Sequence, residues 1–167
     1  MTEALLPAFQ WMEVNLPGGP WLRESTFGFS FLLTAHVVAM CWFFGLILMM
    51  DLRLAGIGNL RTSAAEIQKR LFPWQMVGFF FVVLTGFLLW YSKPLSYYGK
   101  GFFWLKLFIM GLAGLNAFAI HLITHRSGGT GWESGSAKFA GAMSIVLWAG
   151  VLITGRLVAY EWWTYGF

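Results

Sequence analysis

The sequence predicts an all-α integral membrane protein, a four-helix bundle with a short N-terminal interfacial helix. Two features of its composition point to this class, since 58% of the residues are hydrophobic and only 11% carry a charge. So few charged side chains leave too little polar surface for a fold in water. The third observation is the position of the charges, which leaves four long stretches almost free of them.

Each of the four apolar stretches is long enough to cross a bilayer, whose hydrocarbon core of about 30 Å needs about 20 helical residues. We expect the spans at about residues 25–50, 71–92, 102–125 and 139–160. All 167 residues then belong to one transmembrane domain. The aromatic share of 19% is typical of helices that face lipid and end at the headgroups.

The segments outside the spans are short, and each has its own prediction. Residues 2–16 are apolar and acidic and lead into the turn signal of residues 17–20, so we expect an interfacial helix there. Residues 62–71 are expected to form a connector helix on the cytoplasmic side, joining the second span near Pro73. The glycine-rich loop 126–138 is expected to be flexible.

The basic residues near the ends of the spans predict the orientation in the membrane, because cytoplasmic loops carry an excess of Lys and Arg. Four crossings put both termini on one side. One side has six basic residues and the other four: Arg53, Arg61, Lys69, Arg70, Arg126 and Lys138, against Arg23, Lys93, Lys100 and Lys106. This count favours both termini outside the cytoplasm. The net charge of +4 is small and lies mostly in these flanking loops, so no nucleic-acid partner is expected.

All three histidines of the chain, His36, His121 and His125, lie in or at the end of a predicted span. Ionisable groups at membrane depth are costly and usually mark a ligand or a pathway. One histidine alone could simply hydrogen-bond to a neighbouring helix, whereas three together favour metal ligation. Imidazole binds haem iron and also copper or zinc. The scarcity of carboxylates near the spans, only Asp51 and Glu161, argues against a di-iron centre.

The positions of the histidines are compatible with one metal-binding site or with two. His121 and His125 are four residues apart and share one helix face. His36 lies 15 residues before Asp51, about 22 Å of helix, whereas His121 lies five before Arg126, about 7.5 Å. Either a tilt of the helices brings the histidines to the same depth in the membrane, or His36 belongs to an outer site and the other two to an inner one.

Three further side chains allow more than one interpretation. Arg156 in the fourth span either snorkels to the outer interface or pairs with a haem propionate near His36. Met40 lies one turn from His36 with Cys41 next to it, which keeps copper ligation open. Cys41 alone is better explained as a small buried hydrophobic residue.

Five sets of short segments stand out together: His36-Val37-Val38 to Gly45, Asp51-Leu52-Arg53-Leu54, Pro73-Trp74, Asn116 with His121, and Gly155-Arg156-Leu157. In these segments the chain resembles a poorly characterised family of small four-helix bacterial membrane proteins. The resemblance covers about residues 21–160. These proteins are similar in plan to copper-resistance-D-like and cytochrome-b-like bundles, which implies a histidine-ligated haem or copper site in a bacterial inner membrane. By position, His36, His121 and Arg156 match the pattern and His125 does not.

The hypothesis that joins these observations is a b-type cytochrome with one or two haems held by His36, His121 and His125, with Arg156 as a propionate partner. Its redox partner would be a quinol or a periplasmic protein. The alternatives are a copper-binding or copper-transport protein and a structural or assembly subunit. A homo-oligomer is compatible with so thin a bundle. Asp51 and Arg53 are expected to form a pair at the end of their helix.

Overall fold

The computed structural model of the chain describes residues 6–25, 27–57, 61–126 and 130–160, with the side chains of residues 20, 123–126, 130 and 133 outside that description. The described part is helical and contains no strand. Its helices are α1 (Leu6–Asn15), α2 (Gly19–Glu24), α3 (Gly28–Leu54), α4 (Ala64–Ser92), α5 (Pro94–Tyr98), α6 (Gly101–Arg126) and α7 (Gly135–Leu157), with a 3-10 helix at Thr130–Glu133.

Four of these helices, α3, α4, α6 and α7, are long and apolar enough to cross a membrane. They contain 27, 29, 26 and 23 residues, about 34 to 44 Å of helix, which exceeds a hydrocarbon core of about 30 Å. The prediction of an all-α bundle with four spans is therefore confirmed. Both the start of α3 and the end of α7 lie at what we call the termini end of the bundle. The far end holds the connections after α3 and after α6.

The second span begins earlier than the sequence predicts, because the expected connector helix and the span form one continuous helix, α4. The hydroxyl of Ser63 caps its N-terminus by accepting the backbone N–H of Glu66 at 3.3 Å. Pro73 lies within the helix. Proline removes one backbone hydrogen bond, but the helix continues on both sides of it.

The four long helices pack in the order α4, α3, α7, α6, with α3 against α4 and α7, and α7 also against α6. Two glycines allow close contact. A Cβ atom at Gly78 of α4 would lie 3.2 Å from the Cα of Phe43, and one at Gly141 of α7 would lie 2.7 Å from the Cβ of Leu54. The absence of a side chain at these two positions therefore lets the backbones of neighbouring helices approach each other.

The N-terminal helices pack beside α5 at the termini end. The carboxylate of Glu13 in α1 pairs with Arg23 of α2 and accepts the backbone N–H of Leu95 at 3.1 Å. The hydroxyl of Tyr91 donates to the carbonyl of Pro17 at 2.8 Å. The predicted N-terminal helix is confirmed over Leu6–Asn15, and residues 2–5 of that prediction lie outside the described part. The predicted turn is shorter, since α2 already begins at Gly19.

The connection between α6 and α7 is helical in part, although its glycine content predicts a loop. Residues 130–133 form a 3-10 helix, and Trp132 is 8% exposed in a core cluster at the far end with Met50, Ala64, Ile120 and Ala137. The flexibility of this connection stays a prediction. Residues 127–129 lie outside the described part.

Candidate functional site

His36 is buried between α3 and α4, with 7% of its surface exposed. Its Nδ1 atom lies 2.8 Å from the hydroxyl oxygen of Thr85. That hydroxyl has a single hydrogen, which it donates to the carbonyl of Phe81 at 2.6 Å. With the hydroxyl hydrogen on the carbonyl of Phe81, the ring hydrogen of His36 is assigned to Nδ1, which donates it to Thr85. In this tautomer, the lone pair of the neutral imidazole is on Nε2.

The residue after Thr85 makes room for the imidazole. A Cβ atom at Gly86 would lie 3.1 Å from the Cε1 atom of His36, tighter than ordinary van der Waals contact. The dipeptide Thr85-Gly86 thus supplies both the hydrogen-bond acceptor of the ring and the space beside it. Neither residue stands out in the sequence, because their role depends on how α3 and α4 are aligned.

Lys106 of α6 is the basic residue that acts on His36. It is half-buried and lies close enough to His36 for an electrostatic interaction. A Cβ atom at Gly155 of α7 would lie 3.6 to 3.7 Å from the outer part of the Lys106 side chain. Lys106 lies inside the third span that the sequence predicts at about residues 102–125, and α6 begins five residues before it, at Gly101. The ammonium group therefore lies within the helical bundle.

Arg156 lies one residue beyond Gly155, near the level of His36, but its side chain is exposed. Its Nη2 atom donates to the hydroxyl of Tyr160 at 2.7 Å, and its guanidinium lies 4.9 Å from the centre of that ring. This geometry fits a side chain that snorkels along the surface of its own helix. Among the described residues, Lys106 and not Arg156 is the cation next to His36.

His121 lies near the far end of α6 in a different environment. Its ring is in edge-to-face contact with Phe72 of α4 and Trp132, with centroids 5.6 and 5.3 Å apart. Its Nε2 atom is 3.4 Å from the amide nitrogen of Gln68, a long hydrogen bond. The residue is nevertheless exposed on one side. The side chain of His125 lies outside the described part, although the backbone of α6 is helical through Arg126.

His36 and His121 lie at different levels of the bundle. Lys106 is near the level of His36, and His121 follows it by 15 residues on the same helix, about 22 Å. Two imidazole nitrogens bound to one metal ion, each at about 2 Å, lie at most about 4 Å apart. The two histidines cannot share one iron, so the two-site alternative is the one compatible with the fold.

The ligands considered for copper do not converge. Cys41 is exposed on the outer surface of α3, whereas His36 is buried and Met40 is half-buried. In the part of the chain that the structure describes, no three His, Cys, Asp or Glu side chains form a group that could hold a metal ion. The expectation of a buried Cys41 is therefore wrong for this single chain.

The expected pair of Asp51 and Arg53 does not form, because residues two apart on a helix point in different directions. The Nε atom of Arg53 donates to the carbonyl of Thr62 at 3.0 Å. The carboxyl of Asp51 instead hydrogen-bonds to Ser144 of α7.

Comparisons of the chain with protein-family models, with curated proteins and with solved structures found no match. The arrangement of the side chains must therefore carry the functional argument by itself.

Proposed function

We propose that the protein is a membrane-embedded b-type cytochrome in which His36 is an axial ligand of a haem iron. The observation that carries this proposal is the hydrogen bond from His36 to Thr85 at 2.8 Å, which leaves Nε2 with its lone pair. Histidines that bind metals usually donate their other ring N–H to a neighbouring oxygen, which fixes the tautomer and the ring orientation. Both features of such a ligand are thus in place.

The surroundings of His36 are also suited to haem. Lys106 supplies a positive charge beside the ring, where it would pair with a haem propionate. Gly86 keeps one side of the imidazole free of a side chain. Bound haem would supply one-electron redox chemistry, and the protein would tune it through the imidazole, the buried position and the nearby cation. Of the three histidines, His36 alone is at this level, so the chain offers one histidine ligand there.

A second haem at the far end is the natural extension of the proposal, with His121 or His125 as ligand. Positions 121 and 125 are four residues apart on one helix, so ligands at these positions would approach from the same side and could not bind opposite faces of one haem. The two sites would lie about 22 Å apart along α6. Electrons would then move between the two sides of the membrane, with a quinol or a periplasmic protein as redox partner.

Copper handling is the second candidate, because the partly buried thioether of Met40 lies one turn from His36 on the same helix. The exposed position of Cys41 makes a three-ligand copper site less favourable than haem ligation. A structural or assembly role would require none of the features around His36.

Optical spectra of the detergent-purified protein test the proposal, recorded oxidised and dithionite-reduced, with a pyridine haemochrome assay and elemental analysis. We expect b-type bands, with the haem content reduced in His36→Ala and the remainder lost when His121 and His125 are also replaced. Cys41→Ala is the control, because that exposed side chain is not a proposed haem ligand. A haem-free protein from cells with ample haem contradicts the proposal and leaves copper handling if copper is found.

We also propose that the protein lies in the bacterial inner membrane with both termini in the periplasm. The excess of basic residues in the two connections at the far end supports this orientation. In it, His36 would serve the periplasmic side and His121 the cytoplasmic side.

A further inference from the structure

Asp51 is a carboxyl group buried in the contact between α3 and α7, only 6% exposed, three residues before the end of α3. Its Oδ2 atom is buried and has no hydrogen-bond partner among the described residues. A buried polar atom without a partner is rare in native proteins, because it has lost its hydrogen bonds to water and gained none in return.

The close packing of α7 against α3 creates this environment. A Cβ atom at Gly141 would lie 2.9 Å from the backbone oxygen of Asp51, so a side chain there would push the helices apart. Ser144, one turn further along α7 and only 6% exposed, hydrogen-bonds to the Asp51 carboxyl. A neutral hydroxyl is therefore what α7 offers to this carboxyl across the contact.

The cationic side chains near the far end are directed elsewhere. On the helix of Asp51 itself, Arg53 turns to the carbonyl of Thr62. On α4, Arg70 pairs with Glu66 at 2.8 Å on the surface. The remaining described cations there, Arg61 in the connection after α3, Lys69 on α4 and Lys138 on α7, are exposed. Burial and the Ser144 hydroxyl, rather than a neighbouring positive charge, thus determine the environment of the Asp51 carboxyl in the described part of the chain.

Apart from Arg53, the other buried polar side chains described at the far end are neutral. Gln68 and Gln75 of α4 are amides that bond to each other. The described part of the 3-10 helix contributes the indole of Trp132. None of these three groups can neutralise a carboxylate.

Among the described residues, an ionised carboxylate in this position would have neither a counterion nor enough hydrogen-bond donors. Burial of such a charge costs several kcal/mol, and ionisable groups in membrane bundles survive when they are neutralised or paired. A metal ion is a poor candidate for the counter-charge, because the described residues contain no group of three His, Cys, Asp or Glu side chains that could hold one. A proton needs only the one oxygen that lacks a partner.

We infer that Asp51 is a proton-binding site, a carboxylic acid that holds a proton on Oδ2 between α3 and α7 and exchanges it with the solution at the far end. The group takes up one proton when it becomes neutral and releases one when it ionises, with no electron transferred. The inference is independent of haem binding, and it holds equally for a protein without haem.

Infrared spectroscopy of the full-length protein in detergent tests this inference. At neutral pH, the wild type shows the C=O stretching band of a buried carboxylic acid, which moves to lower frequency in D2O. The band is absent in Asp51→Asn and present in Glu66→Gln, the matched control in which an exposed carboxylate is removed. A wild-type spectrum without this band, or an unchanged band in Asp51→Asn, overturns the inference.

A second variant guards against misfolding of Asp51→Asn. Ser144→Ala removes the hydroxyl that bonds to the carboxyl, so the same band moves in frequency while remaining present. A band that neither variant affects belongs to another group and contradicts the assignment.

The pH dependence of stability gives an independent readout. The unfolded chain releases the Asp51 proton near pH 4 and the folded protein keeps it, so stability falls as the pH rises above that value. We expect the midpoint of thermal unfolding to decrease from about pH 5 to about pH 8 in the wild type and in Glu66→Gln, and to change less in Asp51→Asn. Equal pH slopes in all three proteins contradict the inference.

Discussion

His36 and Thr85 are hydrogen-bonded across the contact between α3 and α4, with 2.8 Å between Nδ1 and the hydroxyl oxygen. This one bond determines which nitrogen of the imidazole carries hydrogen, because Thr85 uses its own hydrogen on the carbonyl of Phe81. It thereby leaves a histidine in an apolar helix with a defined free nitrogen, Nε2. The haem proposal depends on this relationship more than on any other.

Replacing Thr85 by valine tests the role of the hydrogen bond. Thr85→Val keeps the shape of the side chain but leaves the Nδ1–H of His36 without its acceptor, which should destabilise the protein by about 1–3 kcal/mol. We expect haem affinity to fall by about 10- to 100-fold, as when an outer partner of a ligand is lost. Thr85→Ser retains the hydroxyl and should retain both properties. Haem titration measures the affinity and thermal unfolding measures the stability. If Thr85→Val and Thr85→Ser have equal haem affinity and stability, the hydrogen bond to His36 does not have the proposed role.

Replacing Gly86 by alanine should destabilise the protein more than the same replacement of a glycine elsewhere in the bundle. The new methyl group would lie 3.1 Å from the Cε1 atom of His36 and would displace the ring, at a cost of about 1–3 kcal/mol. Gly45→Ala in α3 is the matched control, since nothing lies within 4 Å of its Cβ position. That variant gains helix propensity of up to about 1 kcal/mol. If Gly86→Ala is as stable as Gly45→Ala or more stable in unfolding curves, the imidazole of His36 has free space beside Gly86, which contradicts the prediction.

A comparison of two glycines on α7 tests the contact between α3 and α7. A Cβ at Gly141 would overlap Leu54 at 2.7 Å, whereas one at Gly150 would meet Ile109 at an ordinary 3.6 Å. We expect Gly141→Ala to lower the unfolding free energy by at least about 1 kcal/mol and Gly150→Ala to leave it unchanged or raise it. Denaturation in mixed detergent gives the difference. Similar values for both variants would show that the helices are not in close contact at Gly141.

Cysteine labelling tests the proposed orientation. Starting from Cys41→Ala, we would introduce Ser96→Cys in α5 at the termini end and Ser136→Cys at the start of α7, both exposed positions. A maleimide that cannot cross the membrane should label Ser96→Cys in intact cells and Ser136→Cys only after permeabilisation. The reverse pattern would place both termini in the cytoplasm and contradict the orientation inferred from the count of basic residues.

The four spans are predictable from sequence, because a charge-free run of about 20 residues is typical of a helix that crosses a membrane. The ends of the helices are less predictable, since a charged residue does not always end a helix. The first spanning helix continues through Asp51 to Leu54, and the second begins at Ala64. The charge of Asp51 therefore marks a span boundary in the sequence, although its side chain is buried in the bundle.

The candidate site is predictable in part. The three histidines stand out as ionisable groups at membrane depth. Thr85, Gly86 and Lys106 do not, because their proximity to His36 depends on the alignment of α3 with α4 and on the start of α6. Sequence spacing within one helix contains no information on that alignment. For the same reason, the sequence points to Arg156 for a role whose geometry better suits Lys106.

The most direct test of the central claim is the haem content of His36→Gly, measured from the reduced-minus-oxidised spectrum with and without added imidazole. The glycine leaves a space where free imidazole can replace the missing ring beside Thr85. We expect the variant to lose the haem held by His36 and to regain its absorbance when imidazole is added, while His121→Ala keeps that haem. A His36→Gly spectrum identical to that of the wild type, at the same haem-to-protein ratio, would contradict the claim that His36 binds haem iron.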